Sequence, residues 1–238
     1  MCTVIISVPA HPGASLHVLA IRDEDPTRSW DPLGAWWPDT HPGVLGVRDA
    51  RAGGAWLAAD VAGGKLAVIL NRAEITGVDP AEIGSRGHIV LDALAGHGMD
   101  AAPRVHGFNL VEVTADAATV TMWDGESIRR VPLGPGVHMI AHDDVDDAGT
   151  ARIAHWHGAF ATPPAEAERW WMPWLDTLDL SATQLAPTDD RAIIRDNRPF
   201  GYPTLSLLVC AASVSRSGVE VVYGELDRPG EWNRPELH

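Results

Sequence analysis

Cys2-Thr3-Val4-Ile5-Ile6-Ser7-Val8 is a β-branched, apolar run, and after Ala10-His11-Pro12-Gly13 it is answered by a second, His17-Val18-Leu19-Ala20-Ile21. Two such runs separated by turn residues predict a β-hairpin. The second run leads into Arg22-Asp23-Glu24-Asp25-Pro26. A hairpin therefore sets a charged cluster at a strand end beside the first residues of the chain.

Outward from this hairpin the pattern stays strand-rich. Trp30 to Pro42 is rich in Pro and Trp and has no clear period, whereas Val44–Val47, Ala55–Ala59 and Lys65–Asn71 read as short strands separated by glycine-containing turns. Five short strands in the first seventy or so residues predict a layered antiparallel sheet. His88–Leu94 has helical apolar spacing with Gly96 and Gly98 as stop signals, and Thr150–Phe160 and Ala165–Leu178 have helix-like spacing. Phe108–Thr114 and Ala118–Trp123 form a hairpin around Asp116, Val137–Ile140 is a further strand, and Ser206–Ala212 with Val219–Tyr223 forms the last hairpin. No linker, repeat or low-complexity stretch divides the 238 residues, so residues 1–238 read as one domain.

Composition narrows the function classes. Hydrophobic residues make up 45% and charged residues 21%, as in a globular protein with a core of its own. Asp plus Glu number 32 against 18 for Lys plus Arg, a formal charge of −14, which disfavours nucleic acid and anionic membranes as partners. The first residues carry no basic leader and only a short apolar run before Pro9, which predicts a cytoplasmic chain without membrane insertion. Cys2 and Cys210 are the two cysteines and read as free thiols, Cys210 as a buried structural one. Removal of Met1 would give Cys2 a special capacity, because its own α-amine, with an ordinary pKa of ~7.7–8.0, becomes a base beside the thiol.

Several segments in order resemble the NRDE family, also called the transport-and-Golgi-organisation family. They are Met1-Cys2, Ala20-Ile21-Arg22-Asp23-Glu24, Gly53-Gly54-Ala55-Trp56-Leu57, Leu66–Asn71, Ser85-Arg86-Gly87, Gly107-Phe108-Asn109-Leu110 and Pro135-Gly136, with a weaker match at Gly201–Val209. The resemblance implies an α+β fold of the N-terminal-nucleophile (Ntn) hydrolase type, a four-layer αββα sandwich with antiparallel sheets. It implies Cys2 as nucleophile, Arg22 as the cation that favours its thiolate, Asn71 as an oxyanion donor and Asp25 as the group that orients the N-terminal amine. The sequence departs from the family pattern at three places. The motif lacks its first Asn, Ala141-His142 stands where Ser-Asn is common, and Gly201-Tyr202-Pro203-Thr204 replaces a Thr-Arg-Thr segment, with Arg195 and Arg198 just before it. His142 then takes the place of a catalytic-type asparagine, with a ring nitrogen as donor.

The resemblance implies two function classes. The first is an Ntn-type hydrolase or acyltransferase acting through Cys2 on an amide or thioester of a small molecule, with no cofactor required. The second is a haem-trafficking or lipid/acyl-CoA-trafficking protein on a catalytically degenerate Ntn fold, which would hold a hydrophobic cargo and take haem through a histidine such as His138 or His142. Cys2→Ala discriminates them, since only the enzyme needs the thiol. His138, His142, His155, His157 and the Asp143–Asp147 run match no zinc or EF-hand spacing, so no metal site is expected and the aspartates read as a solvated loop. Most of the ten tryptophans read as core, and Ser85–His88 as a plain helix entry.

Overall fold

The opening hairpin forms with Thr3 opposite Ile21 and Ser7 opposite His17. In the computed structural model, which describes residues 2–73 and 83–238, it is the pair β1 (Thr3–Val8) and β2 (Leu16–Glu24). The chain is α+β, with two open, mostly antiparallel sheets, and it divides into two compact units. No described helix is long and apolar enough to cross a membrane.

The first unit comprises the chain through Thr27 together with Gly134–Ser213 and Val221–His238. The five-stranded sheet, which lies in this unit except for the hairpin end Val214–Glu220, has the order β10-β1-β2-β11-β12, where β10 is Gly136–Ile140, β11 Leu205–Ser215 and β12 Gly218–Glu225. Alternation along the strands sends Ile5, Leu19, Ile21, Val137, Met139, Val209 and Ala211 into one core with α2 (Ala151–Phe160) and α3 (Met172–Gln184). Trp156, Trp170, Trp171 and Trp174 lie in that core. Trp170 meets both Trp171 and Trp174 edge-on, the arrangement favoured by the ring quadrupoles.

The spacing over Ala165–Leu178 places the last helix too early: α3 begins at Met172 and runs on to Gln184. Glu166 is engaged elsewhere, accepting from the Ser15 backbone N–H at 2.9 Å and the Ser15 hydroxyl at 3.2 Å. Pro173 sits in the first turn of α3, where its missing N–H costs nothing.

The second unit comprises Arg28–Leu133 and Val214–Glu220. Its seven strands run in the order β3-β4-β5-β6-β7-β8-β9. They are Trp30–Gly34, Val44–Asp49, Ala55–Asp60, Lys65–Asn71, Phe108–Thr114, Ala118–Trp123 and Ile128–Pro132. Helix α1 (Gly87–Ala95) packs on β5 and β6 and ends at Gly96 in the left-handed conformation, φ 74°. The glycines entering this contact are there for space: a Cβ on Gly54 would lie 2.3 Å from the Gly87 carbonyl carbon. Arg86 fixes the helix entry by donating to the Gly107 carbonyl at 2.8 Å.

Candidate functional site around Cys2

Two strand registers converge on Cys2. Thr3 pairs with Ile21 and Val4 with Ile140, so continuing both ladders to residue 2 sets Arg22 on one side of Cys2 and His142 on the other. Cross-strand partners share a face of the sheet. Cys2 is 6% exposed. Its Sγ accepts the Asp23 backbone N–H at 3.4 Å and the thiol points to the Asp23 carbonyl at 3.5 Å. Burial pushes the thiol above its ordinary value and the Asp23 carboxylate adds to this, while the Asp23 N–H and the Arg22 charge pull it down without prevailing.

Arg22 is buried and pairs with Glu24 at 3.5 Å. Asp25, half-buried, closes the strand exit by accepting from the Thr27 N–H and hydroxyl, each at 2.8 Å. His142 Nε2 lies 3.2 Å from Asp143, which also accepts the Thr150 hydroxyl at 2.9 Å. Burial lowers the His142 pKa below its ordinary value, so its ring is neutral at neutral pH. Cys2, Arg22, Asp25 and His142 thus all belong to the first unit, whereas Asn71 is the exposed last residue of β6 in the second, opposite Phe108. Met1, whose removal would free the Cys2 amine, lies outside the described residues.

Behind Cys2 lies a buried polar layer that the sequence reading does not foresee. The Asp23 carboxylate accepts the Ser206 hydroxyl at 2.6 Å and the Asn197 amide at 3.3 Å. Asn197 in turn accepts Arg195 Nε at 2.8 Å, and Arg195 reaches Asp190 at 3.0 Å. From the first turn of α2, Arg152 donates to the Thr3 hydroxyl at 2.8 Å. Arg152 is 0% exposed, and burial, with Arg195 nearby, brings its pKa down to about 10. Buried charges persist only when paired and hydrogen-bonded, so this layer is a specified arrangement. One sequence signal does mark Arg152: it precedes Trp156 and Phe160 at helical i, i+4, i+8 spacing, which puts it on the buried face. Cys210 is buried as expected, and burial pushes its thiol far up.

The Asp143–Asp147 run is more than a solvated loop. Asp146, at φ 56°, accepts the Met139 N–H at 2.7 Å and contacts His138 at 2.7 Å and His157 at 3.3 Å. Among the described residues no three His, Cys, Asp or Glu side chains are placed to share a metal ion. The family model for Transport and Golgi organisation 2 matches residues 1–157. Comparison with curated proteins gives no match.

Proposed function

The chain belongs to the Transport and Golgi organisation 2 family, and on that premise we propose that it is an N-terminal-nucleophile hydrolase or acyltransferase working through Cys2 on a small-molecule amide or thioester. What supports this reading is that the two strand registers, continued to residue 2, set Cys2 between Arg22 and His142. After removal of Met1, the Cys2 α-amine takes the thiol proton as Sγ bonds the acyl carbon. The leaving amine or thiol then departs with that proton, and water or an acceptor takes the acyl group from sulfur. Because burial holds the resting thiol protonated, the thiolate forms only as the amine takes its proton, and Arg22 favours the anion at that moment. Neutral His142 contributes a hydrogen bond rather than a charge.

The test is intact-mass analysis of the purified protein before and after exposure to a panel of small thioesters and amides, with Cys2→Ala alongside. The expected result is loss of Met1 and an acyl adduct on Cys2 that the variant lacks. Retained Met1, or turnover that survives in Cys2→Ala, overturns the mechanism. The burial that keeps the Cys2 thiol protonated favours a second reading, a carrier of haem or of a lipid or acyl-CoA cargo. In that case haem shifts its Soret band saturably on titration into Cys2→Ala as into the parent protein.

A further inference from the structure

The α1-covered face of the second unit's sheet changes character along its cross-strand ladders. One ladder runs Ile69, Leu110, Thr121, Arg130, and the next runs Ala67, Glu112, Thr119, Pro132. Where α1 lies over β6 the ladders are apolar, at Ile69 and Ala67, and farther along they carry the polar or charged residues Glu112, Thr119, Thr121 and Arg130. At that transition is a cleft of about 130 Å³. Leu110 and Glu112 form its floor, Ile89 and Asp92 its helix wall, Met99 lines its loop side, and Arg130 stands at the sheet edge. All of these residues belong to the second unit.

The charges are arranged in two groups. Glu112 is half-buried in the middle of a strand, and its carboxylate accepts the buried Thr121 hydroxyl at 3.2 Å. An ionised carboxylate offers about four acceptor positions, and the Thr121 hydroxyl takes one of them on a residue that lines the cleft. Asp92 stands opposite on α1, where His97 Nδ1 approaches it at 3.3 Å. Arg130 is two strands away from Leu110 and therefore roughly 9–10 Å across the sheet, and its guanidinium has no hydrogen-bonded or ion-pair partner among the described residues.

We propose that this cleft binds a small amino-acid zwitterion, its ammonium between Glu112 and Asp92, its carboxylate on Arg130 and its carbon chain against Leu110, Ile89 and Met99. An ammonium brings three donors to two carboxylates, and a carboxylate meets a guanidinium through two parallel hydrogen bonds. The alternatives fit less well. With Asp100 also lining the cleft, three carboxylates stand against one arginine and two histidines, His88 and His97, so anionic groups outnumber the one permanent cation and a phosphate-bearing ligand is disfavoured. A divalent cation lacks a converging ligand set among the described residues. The volume is well below the ~300–1,000 Å³ of sites for drug-sized ligands.

The full chain is screened by thermal shift against the common α-amino acids and 4-aminobutyrate. The best binder is then titrated calorimetrically beside the amine that lacks its carboxylate and the acid that lacks its ammonium. Saturable binding is expected for the zwitterion, with each half-ligand weaker by roughly tenfold or more. Arg130→Gln and Glu112→Gln are each expected to weaken the zwitterion by a similar factor, with circular dichroism spectra and melting unchanged. Arg130 is exposed, and the amide oxygen introduced by Glu112→Gln would still accept from Thr121, so neither variant removes a folding contact. No saturable shift with any of these compounds overturns the proposal. So does binding of the amine alone as tightly as the amino acid, or binding that both variants leave intact.

Discussion

Asp23 acts on Cys2 in two opposite senses. Its backbone N–H donates to Sγ and favours the thiolate, while its carboxylate, buried beneath, favours the thiol. Asp23→Asn separates the two, since it keeps the backbone contact and removes the charge. The thiol pKa is then expected to fall, and alkylation of Cys2 at neutral pH to speed up relative to the parent, with Cys210 as the buried, unreactive control. The same substitution is expected to destabilise the fold by ~1–3 kcal/mol in urea unfolding, because an amide NH₂ now faces the Ser206 hydroxyl or the Asn197 amide, donor against donor. Unchanged alkylation with lowered stability would mean that Asp23 is a structural anchor alone. Its strand-end position near the first residues was legible in the sequence, since it follows from the opening hairpin, whose register the structure supplies. Its burial was not, because the groups that make burial tolerable come from elsewhere in the chain.

At the scale of elements, β10 and α2 are tied together by the segment between them. His138 on β10 presents Nδ1 to Asp146 at 2.7 Å and Nε2 to the Gly134 carbonyl at 2.9 Å, two acceptors that only a doubly protonated ring satisfies. Asp146 also meets His157 on α2 and takes the Met139 N–H, so these are the groups that face the ring's partner. The contact with Asp146 raises the His138 pKa above its ordinary 6.5, and the same contacts lower Asp146 below its ordinary 3.8. A raised histidine contributes stability that is fully present below 6.5 and disappears as pH climbs through its folded value; a lowered aspartate contributes above 3.8 and loses its contribution below its folded value. The latch is therefore strongest in the mildly acid window between them. The stability difference between the parent and His138→Gln, read from urea unfolding at a series of pH values, is expected to be largest there and to shrink as pH rises past neutrality; a difference that stays flat overturns the imidazolium assignment. The elements missed in the sequence have a common cause. Strands β3 and β9 are the two edges of the seven-stranded sheet, and they carry Pro32 and the pair Arg129 and Arg130 in place of apolar alternation. Edge strands are protected from pairing by proline and charge, the same features that hide them from periodicity. Interior strands β6, β7 and β8 alternate or run apolar and were readable to their end residues.

At the scale of the molecule, the site is assembled from three stretches of chain that sequence proximity does not connect. Thr3 and Arg152 are 149 residues apart, Asp23 and Asn197 are 174 apart, and Asp23 and Ser206 are 183 apart. A residue-by-residue reading can place Cys2, Arg22 and His142, which sit on or beside strands of the first sheet, but not the polar layer beneath, because a lone Arg or Ser in an apolar run reads as surface until its partner is known. The family match ends at residue 157, before Arg195, Asn197 and Ser206. Residues 1–157 alone would leave β2 without β11, Asp23 without Ser206 and Asn197, and the first unit's core without α3, Ile193, Ile194, Val209 and Ala211. An uncovered strand edge and a buried carboxylate without donors add to the lost apolar burial, and the three together are set against a stability margin of only ~5–15 kcal/mol. The fragment 1–157 is therefore expected to be unfolded or aggregated, with flat near-ultraviolet circular dichroism and amide proton signals collapsed to random-coil positions in the first unit's residues. A fragment with dispersed signals and a cooperative melt would show that the polar layer from the later residues serves the Cys2 site without being needed for the fold.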